Sequence, residues 1–206
     1  MKPERHWRQA GLTLVELLIG VAIGLLLITG ATSLFLSNLD SSRRLLLEAR
    51  LNQNIRSAAE LITRDLRRAG YWDQAVATLG SHTTNPHQHI ISDTHSVTYS
   101  FTPPSGQSDF RFSLVDNRLR LSIGGGTAQD VTDPTMAKVT GFTISFSGSD
   151  LDIGTQNIPA LPERVQCLVT RRYDISIEAE APSDPSVKRQ LQTSVRVRND
   201  FVGLCP

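Results

Sequence analysis

The sequence predicts an α+β protein in which one long N-terminal helix precedes a mostly antiparallel β-rich head. Three observations carry that expectation. Residues 12–36 hold no formal charge except Glu16. No proline occurs between 12 and 69, and apolar residues recur at helical spacing through the second part of that stretch. From Val97 onward, short runs alternate apolar and polar residues, the period of half-buried strands.

The uncharged run is 25 residues long, and about 20 apolar residues cross a bilayer as a helix. A charge within such a segment costs at least ~2.5 kcal/mol at the bilayer centre, so Glu16 needs a partner or a task. A cleaved secretory signal fits the basic start, with Lys2, Arg5 and Arg8 ahead of the run. Its apolar core would be only about 7–15 residues, and Ala31-Thr32-Ser33 is a weak cleavage site. A plain single-pass anchor also fits the basic head, but Arg43, Arg44 and Arg50 follow the far end, so the charge asymmetry is slight. Neither reading accounts for Glu16.

Beyond the apolar run, Leu47, Leu51, Ile55, Ala58, Ile62, Leu66 and Ala69 recur three or four residues apart and share one helix face. Charged residues mostly take the other faces, with Glu60 and Arg64 spaced for an i,i+4 pair. Gly70 is the expected stop. A continuous helix over 12–69 would be about 87 Å long at 1.5 Å per residue. Gly20, Gly24 and Gly30 read as packing positions. Tyr71 and Trp72 read as a cover for the junction between helix and head, with an exposed contact for a neighbour as the alternative.

The head reads as five to seven strands. Val97–Phe101 alternates; Phe110–Leu114 and Leu119–Ile123 flank Asp116-Asn117 as a hairpin, ended by Gly124-Gly125-Gly126. Phe142–Phe146 and Arg172–Glu180 follow, and Leu191–Val197 continues towards Phe201. Gly148–Pro162 and Ala181–Ser186 read as loops, as does the polar stretch Gly80–His89. His82, His87, His89 and His95 invite a metal reading, but no cysteine or helical His-x3-His pair completes a site, and a solvated loop is the default. Asp130, Asp133, Asp150 and Asp152 lack the Asp-x-Asp-x-Asp-Gly pattern of a calcium loop. No Gly-x-Ser-x-Gly elbow and no nucleophilic cysteine context marks an enzyme, so neither catalysis nor a cofactor is expected. From Tyr71 onward there are 11 basic and 14 acidic side chains, a net of −3, which argues against a nucleic-acid-binding head.

One string explains both Gly11 and Glu16. Gly11-Leu12-Thr13-Leu14-Val15-Glu16, after a short basic leader and before the apolar run, resembles the N-terminal signal of type IV pilins and pseudopilins. The resemblance implies a leader at 1–11, cut by prepilin peptidase between Gly11 and Leu12, with Leu12 methylated as the new N-terminus. The family usually has phenylalanine at that place. Glu16 becomes fifth in the mature chain, where its carboxylate would pair with the N-terminal amine of a neighbouring subunit and set register in the filament. Two charges enter an apolar core tolerably only if they meet. The remaining alternative is that Glu16 stays hydrated at the headgroup boundary.

Arg64-Asp65-Leu66-Arg67-Arg68-Ala69-Gly70-Tyr71-Trp72 resembles the PilW family of minor pilins and, more loosely, the J-type minor pseudopilin of type II secretion. Ser194–Asn199 resembles the last strand of PilW-like proteins. The resemblance implies a type IV pilin fold: a membrane and filament-core segment at 12–36, an amphipathic segment at 37–70, and a periplasmic head at 71–206. It also implies a chain held in the inner membrane that joins other minor pilins, the major pilin and the assembly platform to prime a pilus. A type II secretion pseudopilin and a tip adhesin or DNA-uptake module are the alternatives. In an exported head, Cys167 and Cys205 would form one disulfide closing a loop of about 39 residues, with two unpaired thiols as the alternative.

Overall fold

The computed structural model describes residues 13–75, 85–103, 109–152 and 166–204. They fall into two compact units, one ending at Leu45 and one beginning at Leu46. Among the described residues of the first unit, everything after Thr13 is helix. Helix α1, Leu14–Leu66, begins there and supplies the first element of the second unit.

Within the second unit, α1 buries Leu51, Ile55, Ala58, Ala59, Ile62 and Leu66, with Leu47 partly buried beside them. The face expected from spacing is the face that packs. The α-helical part stops at Leu66, short of the expected Ala69. The chain then tightens: Arg68 N–H donates to Asp65 O (3.0 Å) and Ala69 N–H to Leu66 O (3.1 Å). These shorter-range bonds satisfy carbonyls that a continuing helix would have used. Glu60 does not pair with Arg64; Arg64 Nε lies 3.6 Å from Asp65 instead. Exposed pairs are weak enough for a neighbouring carboxylate to capture the arginine.

Eleven strands follow among the described residues, more than the five to seven expected. They are β1 (Ile90–Asp93), β2 (Ser96–Ser100), β3 (Asp109–Val115), β4 (Arg118–Ile123), β5 (Gln129–Asp130), β6 (Lys138–Phe146), β7 (Ser149–Asp152), β8 (Gln166–Thr170), β9 (Arg172–Ala181), β10 (Asp184–Arg196) and β11 (Phe201–Leu204). They form three sheets, β1-β2-β3-β4-β5, β10-β9-β6 and β11-β8-β7, with every pairing antiparallel. The additional strands are short and lie mostly at sheet edges.

The β3–β4 hairpin forms as expected. Asp116 (φ 52°) and Asn117 (φ 59°) both adopt the left-handed conformation that a two-residue turn between twisted strands requires. Asn117 then ties that turn to β6: its carbonyl accepts from Val139 N–H (2.9 Å) and its Nδ2 donates to Val139 O (3.2 Å). A bulge between Val139 and Gly141 resets the alternation of β6, so Val139, Phe142 and Ile144 all point inward. The segment expected as a loop over Ala181–Ser186 is instead a two-residue turn between β9 and β10. Ser149–Asp152, also expected as loop, is β7; residues 153–162 lie outside the described part. The last strand does not run on from Val197 to Phe201. Val197 leaves β10, donates to Arg171 O (2.9 Å), and the chain enters a different sheet as β11.

One core joins the buried face of α1 to Val97, Tyr99, Phe112, Leu119, Phe142, Ile175 and Ile177 from the sheets. Each large side chain removed from water contributes about 1.5–3 kcal/mol before conformational entropy is counted. The α+β class expected from the sequence is therefore the class observed.

Candidate functional sites along the helix

Two places on α1 carry the features that composition alone does not explain. The first is its N-terminal span. Thr13 is the N-cap: its carbonyl accepts from Leu17 N–H (3.2 Å) and its Oγ1 from Glu16 N–H (3.3 Å). Thr13 and Glu16 have the Thr-x-x-Glu spacing of a capping box, a signature readable in the sequence but missed there. The cap places Glu16 in the first turn, where a carboxylate also complements the positive end of the helix dipole. Gly11 and Leu12 lie outside the described residues.

Past Glu16 the helix is long and apolar enough to cross a membrane, and none of that span is buried within the chain. Two of its hydroxyls are satisfied on its own backbone: Thr29 donates to Leu25 O (2.7 Å) and Thr32 to Ile28 O (2.8 Å). A hydroxyl bonded in this way needs no water, which an apolar environment does not offer.

The second place is the end of α1. Gly70 has φ +77°, and a Cβ there would lie 2.7 Å from Arg171 Nη2. The Ala69-Gly70 step therefore requires glycine for both backbone and space. Polar groups from distant parts of the chain close around it. Asn85 Nδ2 donates to Gly70 O (2.8 Å), Asn199 Nδ2 to Ala69 O (3.0 Å), Arg198 N–H to Arg67 O (3.1 Å), and Gly70 N–H to Ser100 O (2.9 Å). Arg171 is buried and its guanidinium donates to the carbonyls of Gln88 and Asn199. Burial pulls its pKa down from the usual arginine value. Asn85 acts over 15 residues, Asn199 over 130 and Arg171 over 28 and 83, and none carries a local sequence signal; they are what holds the Arg-Arg-Ala-Gly-Tyr string in place.

Beside this clasp, Asp65 accepts from Tyr99 OH (3.4 Å), and burial raises the Tyr99 pKa, with the Asp65 charge adding to the rise. Tyr71 is not the packed cover expected of it; it is 49 % exposed, and only its backbone is held, its carbonyl accepting from Thr102 N–H (2.9 Å). Trp72 is half-buried. Tyr71, Arg67, Arg68, Asp73, Pro103 and Arg198 border a cleft of about 480 Å³.

The other sequence candidates resolve differently. His82 lies outside the described residues, while His87 and His89 precede β1 and His95 lies in the β1–β2 turn. Among the described residues no three His, Cys, Asp or Glu side chains gather as a metal site. Asp130 is held by Arg120 and Arg118, and Asp133 accepts from Thr135; these contacts lower both carboxyl pKa values. Cys167 lies on β8 opposite Gly203 of β11, and Cys205 lies outside the described residues.

A family model described as prepilin peptidase-dependent protein B matches residues 44–197, and one described as the prokaryotic N-terminal methylation motif matches residues 8–32. No curated protein and no solved structure matches significantly.

Proposed function

The chain belongs to the prepilin peptidase-dependent protein B family and is a type IV pilin-like protein; from that premise we propose that it is a minor pilin of the PilW kind. It takes part in assembling and priming a type IV pilus, in a minor-pilin complex at the filament tip. The observation that carries this is the helix itself: a capped, membrane-length apolar span with Glu16 in its first turn, continuing into a face that packs a β-rich head. The role is structural, not enzymatic.

In this reading prepilin peptidase removes residues 1–11 by cutting between Gly11 and Leu12, and Leu12 is methylated. Residues 12–36 sit in the inner membrane and later in the filament core, 37–70 dock the head, and 71–206 form the head in the periplasm. Other minor pilins, the major pilin and the inner-membrane assembly platform are the partners. Glu16 pairs with the N-terminal amine of an adjacent subunit; the cap by Thr13 supports this by fixing the turn that carries the carboxylate. A Glu16→Gln variant keeps its fold and processing but loses assembly, which capture of other pilins by tagged full-length protein measures. Capture equal to wild type removes the register role.

The whole reading is tested by gene deletion: surface pili fall while other minor pilins are intact. Unchanged piliation with lost protein secretion would assign the chain to a type II secretion system instead. Cys167 and Cys205 form one disulfide, supported by the register that sets Cys167 opposite Gly203, two residues before Cys205 in the chain. Reduction should lower stability by roughly 4 kcal/mol in the chain-entropy model. Two alkylatable thiols in the unreduced protein would refute the bridge.

A further inference from the structure

The cleft at the end of α1 has a charge that neither processing nor core packing uses. Arg67 and Arg68 come from the turn after α1, and Arg198 from the segment after β10. None of the three takes part in the ion pairs among the described residues. Among the described residues, Asp73 is the one carboxylate on the cleft wall. Two of the arginines have a local reason to be there, since cations at a helix C-terminus complement its dipole. That reason does not bring Arg198 across from another element.

The site is pre-organised. Arg198 N–H bonds to Arg67 O (3.1 Å), so two of the three arginines are fixed to each other through the backbone. The Arg68 guanidinium lies 4.5 Å from the centre of the Phe101 ring, which stacks on Phe110 at 4.6 Å. Arginine forks match planar carboxylates in a bidentate way. Exposed Tyr71 with Pro103 supplies an apolar wall beside them, and Tyr and Arg together are the residues enriched where protein interfaces concentrate their energy.

We infer that this cleft receives a carboxylate side chain from a neighbouring pilin-type subunit. A protein carboxylate fits better than a nucleic-acid backbone: three arginines meet at one cleft, whereas residues from Tyr71 onward carry a net −3, and a phosphate polymer needs a basic stripe. The inference rests on the reading of the chain as a subunit of a pilin-type assembly.

The test uses full-length protein in native membranes. A photo-cross-linking amino acid replaces Tyr71, and cross-linked peptides are identified by mass spectrometry. The expected product joins Tyr71 to an Asp- or Glu-bearing segment of a pilin-like subunit. Arg67→Gln, Arg68→Gln and Arg198→Gln together should reduce that product by at least about tenfold, while leader removal and membrane level stay unchanged. All three side chains are exposed, and Arg68 also covers the buried Phe101 ring; a charge swap that leaves Arg68 in place, Arg198→Glu against Lys at the identified carboxylate, should restore the product and guards against misfolding. Cross-linking at wild-type yield in the triple variant overturns the inference. So does a cross-link only to lipid or nucleic acid, or none while other pilin-type subunits still copurify. If no pilin-type subunit copurifies with wild type, the inference falls together with the proposed function.

Discussion

Leu26 and Leu66 belong to the same α-helix; the first is 73 % exposed and the second is fully buried. Up to Leu46 nearly every large apolar residue of α1 is open: Leu17, Leu25, Ile28, Phe35 and Leu46 are each more than half exposed. From Leu51 onward the apolar residues keep to one face, and that face is covered by strands of the same chain. The amino acids in the two regions are similar, but their arrangement is not. All-round apolar character cannot be satisfied by a single sheet on one side, so the first region must find its cover outside the chain, in lipid or in other helices. One-sided character is satisfied by the head, which leaves the opposite face to water.

The comparison breaks most visibly in the core. Leu66→Ala should destabilise the head by about 2–5 kcal/mol, because it empties a fully packed position, whereas Leu26→Ala should change head stability by less than about 0.5 kcal/mol. Thermal unfolding of the detergent-solubilised full chain, followed by tryptophan fluorescence, checks both. Equal losses would mean that the two regions are not separately supported. Next in size is Gly70→Ala, which forces a side chain into a left-handed backbone and against Arg171. A loss of about 1–3 kcal/mol is expected in the same assay, while Gly24→Ala, with nothing within 4 Å of its added methyl, should leave the head unchanged.

A pH scan sharpens the same contrast. Burial, then Asp65, raises the Tyr99 pKa above the usual tyrosine value of 10.0. The folded state therefore holds the phenol proton more tightly than the unfolded chain does. Its contribution is complete below pH about 10 and is lost as pH rises further. Tyr173 shifts the same way, also through burial. Head stability should fall above pH about 10, and Tyr99→Phe should flatten part of that fall at a cost near ~1 kcal/mol at neutral pH. An unchanged alkaline slope in the variant would contradict it. The smallest effect is expected at Glu48→Ala, which breaks an ion pair with Arg189 of β10 that is about one-third or more exposed on both sides. Such pairs contribute at most about 1 kcal/mol, and added salt should erase the difference between variant and wild type.

Periodicity made the helix face and the β3–β4 turn legible, because both depend on neighbours in the chain: Leu51 to Leu66 follow the helical period, and Asp116-Asn117 permits the two positive φ angles its turn needs. Strands β5, β7 and β11, of two to four residues, are too short to show an alternation. Their pairing is decided by partners elsewhere in the chain. The functional region divides in the same way. Glu16 stands out by charge in an apolar run, and Thr13 was within reach through its three-residue spacing. Arg171, Asn85 and Asn199 were not, since an arginine or asparagine becomes a clasp only when the fold brings it to Gly70. Tyr71 went the other way: an aromatic after a glycine reads as packing, yet its ring stands at the rim of a cleft.

The proposed role requires the N-terminal span to be a processed pilin helix, and the mass of the full-length gene product recovered from membranes tests that directly. A chain of 195 residues starting at Leu12 and carrying one added methyl group is the predicted result. A mature protein that still begins at Met1 would contradict it.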